Sequence, residues 1–93
     1  MIACDVESVD SIATIFGEVL RKRRLAAELS QEQLADRSGL HRTTMSLLER
    51  GLRVPSLLVL LQLSKGLETT AASLVQDFEQ SLSTSGRTRR KKD

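Results

Sequence analysis

The fold of this 93-residue chain is decided by the segment Leu29-Ser30-Gln31-Glu32-Gln33-Leu34-Ala35, which continues through Ser38-Gly39-Leu40 to Leu48-Glu49-Arg50-Gly51. Ser30 and Gln33 form an S-x-x-Q pattern, in which each side chain can hydrogen-bond the backbone N–H of the other residue and so begin a helix. Gly39 suits the left-handed backbone that ends such a helix in a tight turn. A second short helix is predicted to begin near His41 and to end at Gly51, so the segment predicts two helices joined by a turn.

Three further helices are predicted around this pair, because apolar residues recur at helical spacing and no alternating strand pattern is present. The first covers about 11–28 after the cap residue Ser11, the fourth covers about 56–66, and the fifth runs from Thr69 or Thr70 to about Leu82. The expected fold class is therefore all-α with five helices. The fourth helix is apolar almost all round, so its buried side is not predicted. In the other helices the residues expected to face the core are Ile12, Ile15, Phe16, Val19, Leu20, Leu25, Leu34, Ala35, Leu40, Met45, Leu48, Ala71, Leu74, Val75 and Phe78.

The composition excludes several kinds of site. The chain holds one Cys, one His, two Phe, no Trp and no Tyr. An internal disulfide and a thiolate–imidazole zinc site are therefore excluded, no metal or cofactor is expected, and aromatic stacking on single-stranded nucleic acid is excluded as well. The longest aliphatic run, Leu57 to Leu61, is too short to cross a bilayer, and residues 1–10 hold no base of the kind that opens a secretory leader. We expect a cytoplasmic chain.

The net charge of +2 hides four blocks of alternating sign. Residues 1–10 carry −3, residues 11–66 carry +4, residues 67–86 carry −3 and residues 87–93 carry +4. We expect an acidic N-terminal segment over 1–10, one folded domain over 11–82 and a disordered basic tail over 83–93, which is rich in Ser, Thr and bases. The basic middle block favours a phosphate-bearing partner, although a solvated helix face gives the same pattern.

The paired helices resemble those of the Cro/CI-type (phage repressor-like, or XRE) helix-turn-helix family. The resemblance rests on the segment quoted above together with Met45-Ser46 and Pro55-Ser56, and it covers about residues 16–75. It implies a five-helix, repressor-like helix-turn-helix domain that binds double-stranded DNA as a homodimer and regulates transcription. A membrane partner and a small-molecule ligand are not expected.

The resemblance also implies which residues meet DNA. In such a unit the second helix enters the major groove with its N-terminal residues at the base edges, while the first helix crosses the backbone. The fork of Arg42 fits a guanine O6/N7 pair. The expected base-reading residues are Arg42, Thr43, Ser46 and Leu47, and the expected phosphate contacts are Gln31, His41, Thr44, Arg50 and Arg53. Four of these residues have an alternative role without DNA: Thr43 is only solvated, Leu47 faces the protein, Arg50 completes a helix end and His41 caps its helix.

Two further features follow from the same comparison with the family. Arg24 and Glu49 stand where relatives form an ion pair between the first helix and the end of the recognition helix, whereas Arg21, Lys22 and Arg23 are expected in solvent. Glu28 replaces the glycine that relatives favour before the capping serine. A non-glycine residue in the left-handed region costs about 1 kcal/mol, so the first helix is expected to end differently.

A surplus of apolar residues predicts a dimer interface, because an exposed apolar face on a small domain normally needs a cover. Leu58 and Val59 stand where relatives show polar residues. The alternative cover is the N-terminal segment, with Ile2 and Val6. The residues expected at the dimer interface are Leu58, Val59, Val75, Phe78 and Leu82.

Within the regulator class, a restriction-modification controller protein suits a compact chain without a ligand domain. The alternatives are an antitoxin, whose toxin-binding segment would lie at a terminus, and a protein-interaction module that has kept the fold without DNA binding. An enzyme is disfavoured, because the sequence holds no clustered carboxylates, no nucleophile–base pair and no glycine-rich phosphate loop.

Overall fold

A computed structural model describes the backbone of residues 9–91 and the side chains of residues 11–83. This part of the chain is all-α, as the sequence predicts, and its helices are α1 (Val9–Ala26), α2 (Gln31–Ser38), α3 (Arg42–Glu49), α4 (Leu57–Gly66) and α5 (Ala71–Lys91). None of these helices is long and apolar enough to cross a membrane. Ile2 and Val6, the alternative cover for the apolar surplus, lie outside the described residues.

All five helices contribute to one core. α1 packs against α3 and α5, α2 packs against α3 and α4, and α4 packs against α5. Leu25 was expected in this core but is exposed, because it lies five residues after Leu20 and therefore on a face turned about 140° from it. The largest fully buried side chains are Leu20, Leu34, Met45, Leu48, Leu63 and Leu74.

The first four helices end in the same left-handed turn. After α2, Gly39 has φ 73° and the Leu40 N–H donates to the Ala35 carbonyl, and Gly51 with φ 75° ends α3 in the same way. After α1 and α4 the left-handed residue is a glutamate, Glu28 with φ 61° and Glu68 with φ 58°. The expectation that α1 ends differently because Glu28 replaces glycine is therefore wrong: Glu28 itself adopts the left-handed backbone, and Glu68 does the same at the end of α4.

Capping side chains set the starts of α2, α4 and α5. The Ser30 hydroxyl accepts from the Gln33 N–H, and the Gln33 side chain accepts from the Ser30 N–H, which completes the predicted capping box. Ser56 accepts from the Val59 N–H before α4. Of the two threonines considered for α5, Thr70 is the cap, since its hydroxyl accepts from the Ser73 N–H.

α1 lies with its backbone directly against the end of α3. A Cβ atom added to Gly17 would sit 2.5 Å from the Leu48 carbonyl oxygen and 2.7 Å from that of Glu49. A Cβ atom on Gly51 would lie 2.9 Å from Thr14. Only residues without a side chain allow this approach, so α1 is the platform on which the end of α3 rests.

The predicted ion pair between Arg24 and Glu49 joins the same two helices. Arg24 Nε donates to Glu49 Oε2 at 2.6 Å and Arg24 Nη2 donates to Oε1 at 3.0 Å, with the two side chains only 10% and 4% exposed. Arg24 Nη1 also donates to the Leu29 carbonyl at 2.9 Å, so the guanidinium bonds the chain that enters α2. These hydrogen bonds to Glu49 raise the pKa of Arg24, against the effect of burial, so the guanidinium stays charged.

Arg23 is not in solvent, contrary to the expectation from sequence. Its Nε donates to Asp77 Oδ2 at 2.6 Å and its Nη2 donates to Ser73 Oγ at 2.9 Å, both on α5. Arg21 and Lys22 are exposed as expected. Arg23 and Arg24 point about 100° apart on α1, so one can bond α5 while the other bonds α3.

The helix α5 continues well beyond the predicted end at Leu82. The expectation of a disordered tail over 83–93 is wrong for residues 83–91, which continue the helix to Lys91, while residues 92–93 lie outside the described part. No proline follows Leu82, and Arg and Lys are good helix formers. Extending an existing helix also needs no new nucleus, which favours continuation over a break.

Removal of one partner of the Arg24–Glu49 pair should destabilise the fold more than removal of both. We expect Arg24→Ala or Glu49→Ala to lower the free energy of unfolding by about 3–5 kcal/mol, because each leaves a buried charge without its partner. The double variant should lose less free energy of unfolding than the two single variants lose together. Urea unfolding of the four proteins measures this cycle, and an additive double variant would contradict the role of the pair.

Replacement of the left-handed glutamate after α1 should relieve strain. Glycine adopts the left-handed backbone without the roughly 1–2 kcal/mol that it costs other residues. Glycine also gives the unfolded chain more conformational entropy, which lowers the free energy of unfolding by about 0.5–1 kcal/mol. We expect Glu28→Gly to leave the melting temperature unchanged or higher. The matched control Glu18→Gly, in the exposed middle of α1, should lower stability by about 1 kcal/mol. Equal losses in both variants would show that Glu28 is not strained.

Candidate DNA-binding surface

The outward face of α3 carries the residues predicted to read bases. Met45 and Leu48 are fully buried on the inward side of α3 and fix its rotation about its own axis. Arg42 and Thr43 are exposed on the opposite side, and Ser46 and Leu47, which lie on that side as well, are half-buried. Arg50 follows Ser46 by four residues, and so it continues the line that begins at Arg42. The structure therefore brings all four predicted base-reading residues, and Arg50, to one face.

The first turn of α2 lies beside this face because α2 packs against α3. Gln31, predicted to contact phosphate, is half-buried, and its Nε2 donates to Glu49 Oε1 at 3.0 Å. Its side chain therefore bonds the end of the recognition helix. The backbone N–H groups of Gln31 and Glu32 stand in the first helical turn, where no intrahelical acceptor exists, and such groups favour anions.

The start of α3 differs from one part of the sequence expectation. His41 occupies the N-cap position and is exposed, but its side chain makes no capping hydrogen bond. The capping alternative for His41 is therefore wrong, whereas its contact with phosphate stays a prediction. Glu32, Asp36 and Arg42 line one groove between α2 and this turn, so two carboxylates share that groove with the first residue predicted to read bases.

Three exposed arginines give the surface its positive charge. Arg42 begins α3, Arg50 caps its end, and Arg53 lies in the loop that follows. Within the described part of the chain the arginines in ion pairs are Arg23, Arg24 and Arg37. The guanidinium groups around α3 have no carboxylate partner there and can turn toward an external anion. Thr44, the other α3 residue predicted to contact phosphate, is half-buried.

The predicted dimer residues have different surroundings. Leu58 is 65% exposed, and Val59 packs against the core. Phe78 also packs against the core and meets Phe16 edge to face, with ring centroids 5.9 Å apart. Val75 and Leu82 are half-buried on α5.

Sequence reasoning missed two features of this region. It did not connect Gln31 with Glu49, and the only sequence signal for that contact is that Gln31 opens the helix beside the predicted ion pair. It also left out Leu57, whose side chain is 72% exposed, more than any other large aliphatic side chain in residues 11–83. Its place in a continuous aliphatic run conceals which face of α4 it occupies.

Comparisons with known proteins agree with this architecture. Residues 20–74 match the family model HTH_3, described as helix-turn-helix. The chain is 45% identical over 58 residues to an HTH-type transcriptional regulator of Mycobacterium tuberculosis; the match covers 62% of the chain but only 41% of that relative, so the chain spans about two fifths of its length. It is 44% identical over 64 residues to the control protein C.SmaI of Serratia marcescens, which covers 69% of the chain and 76% of that protein.

A solved structure extends the agreement to three dimensions. The restriction-modification controller protein C.AhdI from Aeromonas hydrophila is 42% identical and superposes with a TM-score of 0.64, covering 67% of this chain and 94% of that one. The family match includes the whole of α2, α3 and α4, and it lies within the region of the predicted resemblance. The chain therefore belongs to the XRE-type helix-turn-helix family.

Proposed function

We propose that this chain is a transcription regulator that binds a palindromic operator in double-stranded DNA as a homodimer. The observation that carries the proposal is the outward face of α3, where Arg42, Ser46 and Arg50 stand in line while the Arg24–Glu49 pair holds the helix from behind. Free guanidinium groups on a helix that projects from a rigid body are suited to recognition in the major groove.

The proposed recognition divides the work between the two helices. Arg42 donates two parallel hydrogen bonds to guanine O6 and N7, and Thr43 and Ser46 contact neighbouring base edges. Leu47 supplies an apolar contact, for example to a thymine methyl group. The first turn of α2 with Gln31, and the side chains of His41, Thr44, Arg50 and Arg53, contact phosphates and fix the register of the protein on the duplex.

Among regulators, we propose a restriction-modification controller protein. C.SmaI and C.AhdI support this choice, because both resemble the chain closely and the first is named a control protein. Two-fold symmetry then places the half-sites about 10 base pairs apart. A pure protein-interaction module would not need unpaired arginines on α3. Duplex binding with a steep salt dependence separates the regulator from such a module, and the neighbouring genes, endonuclease or toxin, separate a controller protein from an antitoxin.

The proposed activity is binding rather than catalysis, with no cofactor. A regulator of this kind works on the genome, so the proposed location is the cytoplasm. The operator itself can be obtained by selecting bound duplexes from a random pool, which requires no knowledge of the regulated genes.

Arg42 should control sequence preference. We expect Arg42→Ala to reduce the discrimination between the selected duplex and a duplex with the guanine replaced by about 1–3 kcal/mol, because the two bonds to guanine are lost. Gel shifts with a substitution series measure this value. The control Arg21→Ala removes an exposed arginine from α1 and should leave the discrimination unchanged. Unchanged discrimination in Arg42→Ala would remove Arg42 from the recognition residues.

Arg53 should control the salt dependence instead. The slope of log K against log salt is negative, and each lost phosphate contact reduces its magnitude by about 0.9. We expect Arg53→Ala to weaken binding to every duplex similarly and to reduce the magnitude of the slope by the amount of one contact. The control Arg37→Ala removes the same charge beside Glu68, at the far end of α2. A slope that falls equally in both variants would assign the effect to net charge alone.

A further inference from the structure

The last two turns of α5 carry the second basic block of the chain. Five of the six residues from 87 to 92 are Arg or Lys, and no Asp or Glu occurs from residue 80 to residue 92. Because α5 continues to Lys91, most of this block belongs to a regular helix. The block also lies outside the part of the chain that matches the helix-turn-helix family, which ends at residue 74.

Helical spacing places three of these bases on one face of α5. Arg87, Arg90 and Lys91 are separated by three and four residues, so their positions span about 100° around the helix axis. We call these three positions the basic stripe. Like charges at this spacing destabilise a helix, and a bound polyanion would remove that repulsion. The stripe is therefore more stable with an anionic partner than in water alone.

The helix α5 lies on the side of α1 that is turned away from the recognition helix. The α1 residues that lie against α3 or against the turn after it are Thr14, Gly17 and Arg24. The α1 residues that contact α5 or line the groove beside it are Phe16, Val19 and Arg23. At 100° per residue, the centres of these two sets lie roughly 140° apart around α1. Since the base-reading face of α3 points away from α1, α5 lies behind the recognition surface.

The two helices α1 and α5 run in opposite directions. Phe16 meets Phe78. Arg23, further along α1, bonds Ser73, which comes earlier on α5. The first residue of α1 lies seven positions before Phe16, and Ser85 lies seven positions after Phe78, so these two points are about level. The basic stripe therefore projects beyond the start of α1, at the end of the domain where the acidic residues 1–10 join it.

We propose that the basic stripe is a second DNA site, which binds the phosphates of a duplex other than the one that α3 reads. The inference goes beyond the proposed function and rests on it only for the first duplex. Two helix-to-helix spacings of about 8–10 Å each separate α3 from α5, and α1 stands between them. The stripe therefore cannot add contacts to the duplex in front of α3, and a chain bound to its operator leaves the stripe free to hold a second duplex.

The chemistry of the stripe favours duplex phosphates over other anionic partners. Residues 83–93 contain no aliphatic and no aromatic residue. A lipid surface requires an apolar helix face, and single-stranded nucleic acid requires aromatic rings for base stacking. A duplex requires neither, because Arg, Lys and Thr bind its phosphates without reading the sequence. Thr84 lies on the same face as the stripe, one turn before Arg87.

The acidic N-terminal segment is the alternative occupant of the stripe. Residues 1–10 carry three acids, and α1 begins at the same end of the domain. Three acids cannot neutralise the five bases of residues 87–92, so a positive charge remains even if every acid forms a pair. A duplex carries one charge per about 1.7 Å of its axis, which is far denser, and so it competes well against this segment.

Capture of a second duplex tests the proposal. The selected operator duplex is fixed to beads, the full chain is bound to it, and retention of a labelled duplex of unrelated sequence is measured over a range of salt. The stripe variant combines Arg87→Gln, Arg90→Gln and Lys91→Gln, which remove three charges and keep good helix formers. The matched control combines Arg21→Gln, Arg37→Gln and Lys65→Gln, which remove three charges from exposed positions on other helices. Circular dichroism confirms that both variants are folded.

We expect the unchanged chain and the control to retain the unrelated duplex, and the stripe variant to retain about tenfold less or lower. The three lost phosphate contacts should reduce the magnitude of the salt slope for the second duplex by roughly 2.7. The proposal is overturned if the operator-bound chain retains no second duplex, or if both variants lose retention equally. It is also overturned if retention appears only after deletion of residues 1–8, because the acidic segment would then be the occupant.

Binding of each duplex alone separates this proposal from the proposed function, and fluorescence anisotropy measures it. A chain that prefers no duplex from the random pool, yet binds any duplex and loses that binding in the stripe variant, overturns the proposed function alone and supports the stripe. A chain that reads its operator and whose stripe variant captures the second duplex as well as the unchanged chain does overturns the stripe alone.

Discussion

The buried ion pair between Arg24 and Glu49 is the interaction on which the geometry of the candidate surface depends. It joins α1 to the end of α3 with two hydrogen bonds, and Gln31 adds a third bond to the same carboxylate from the start of α2. Three helices therefore meet at one side chain. Since a carboxylate in a dry environment is costly without its partners, the three helices keep one arrangement.

The close approach of α1 and α3 makes this arrangement tighter still. Gly17 lets the backbone of α1 touch the last carbonyl groups of α3, and the left-handed Gly51 turns the chain away immediately afterwards. The outward face of α3 is thus supported from behind by backbone and by an ion pair, whereas Arg42, Arg50 and Arg53 form no ion pair within the described residues. Rigid support with free side chains is what a recognition surface requires.

The sequence predicted the features that depend on local patterns. The capping box at Ser30, the turn at Gly39 and the buried positions of α2 and α3 follow from spacing alone, and the resemblance supplied the Arg24–Glu49 pair. The bond between Arg23 and Asp77 joins residues 54 positions apart and has no local signal. The exposed side of α4 could not be predicted, because aliphatic residues lie almost all round that helix and their spacing does not distinguish a buried side from an exposed one. The predicted α5 was too short because the Ser- and Thr-rich composition after Leu82 was given more weight than the absence of a helix-breaking proline.

Arg23 and Arg24 are consecutive residues, yet one bonds α5 and the other bonds the recognition helix. α1 therefore connects these two elements as one continuous helix. In the proposed complex, adaptation then falls to the DNA. Base steps that twist or bend easily gain an advantage even where no side chain touches them, so part of the operator's sequence is expected to be selected for its mechanical compliance.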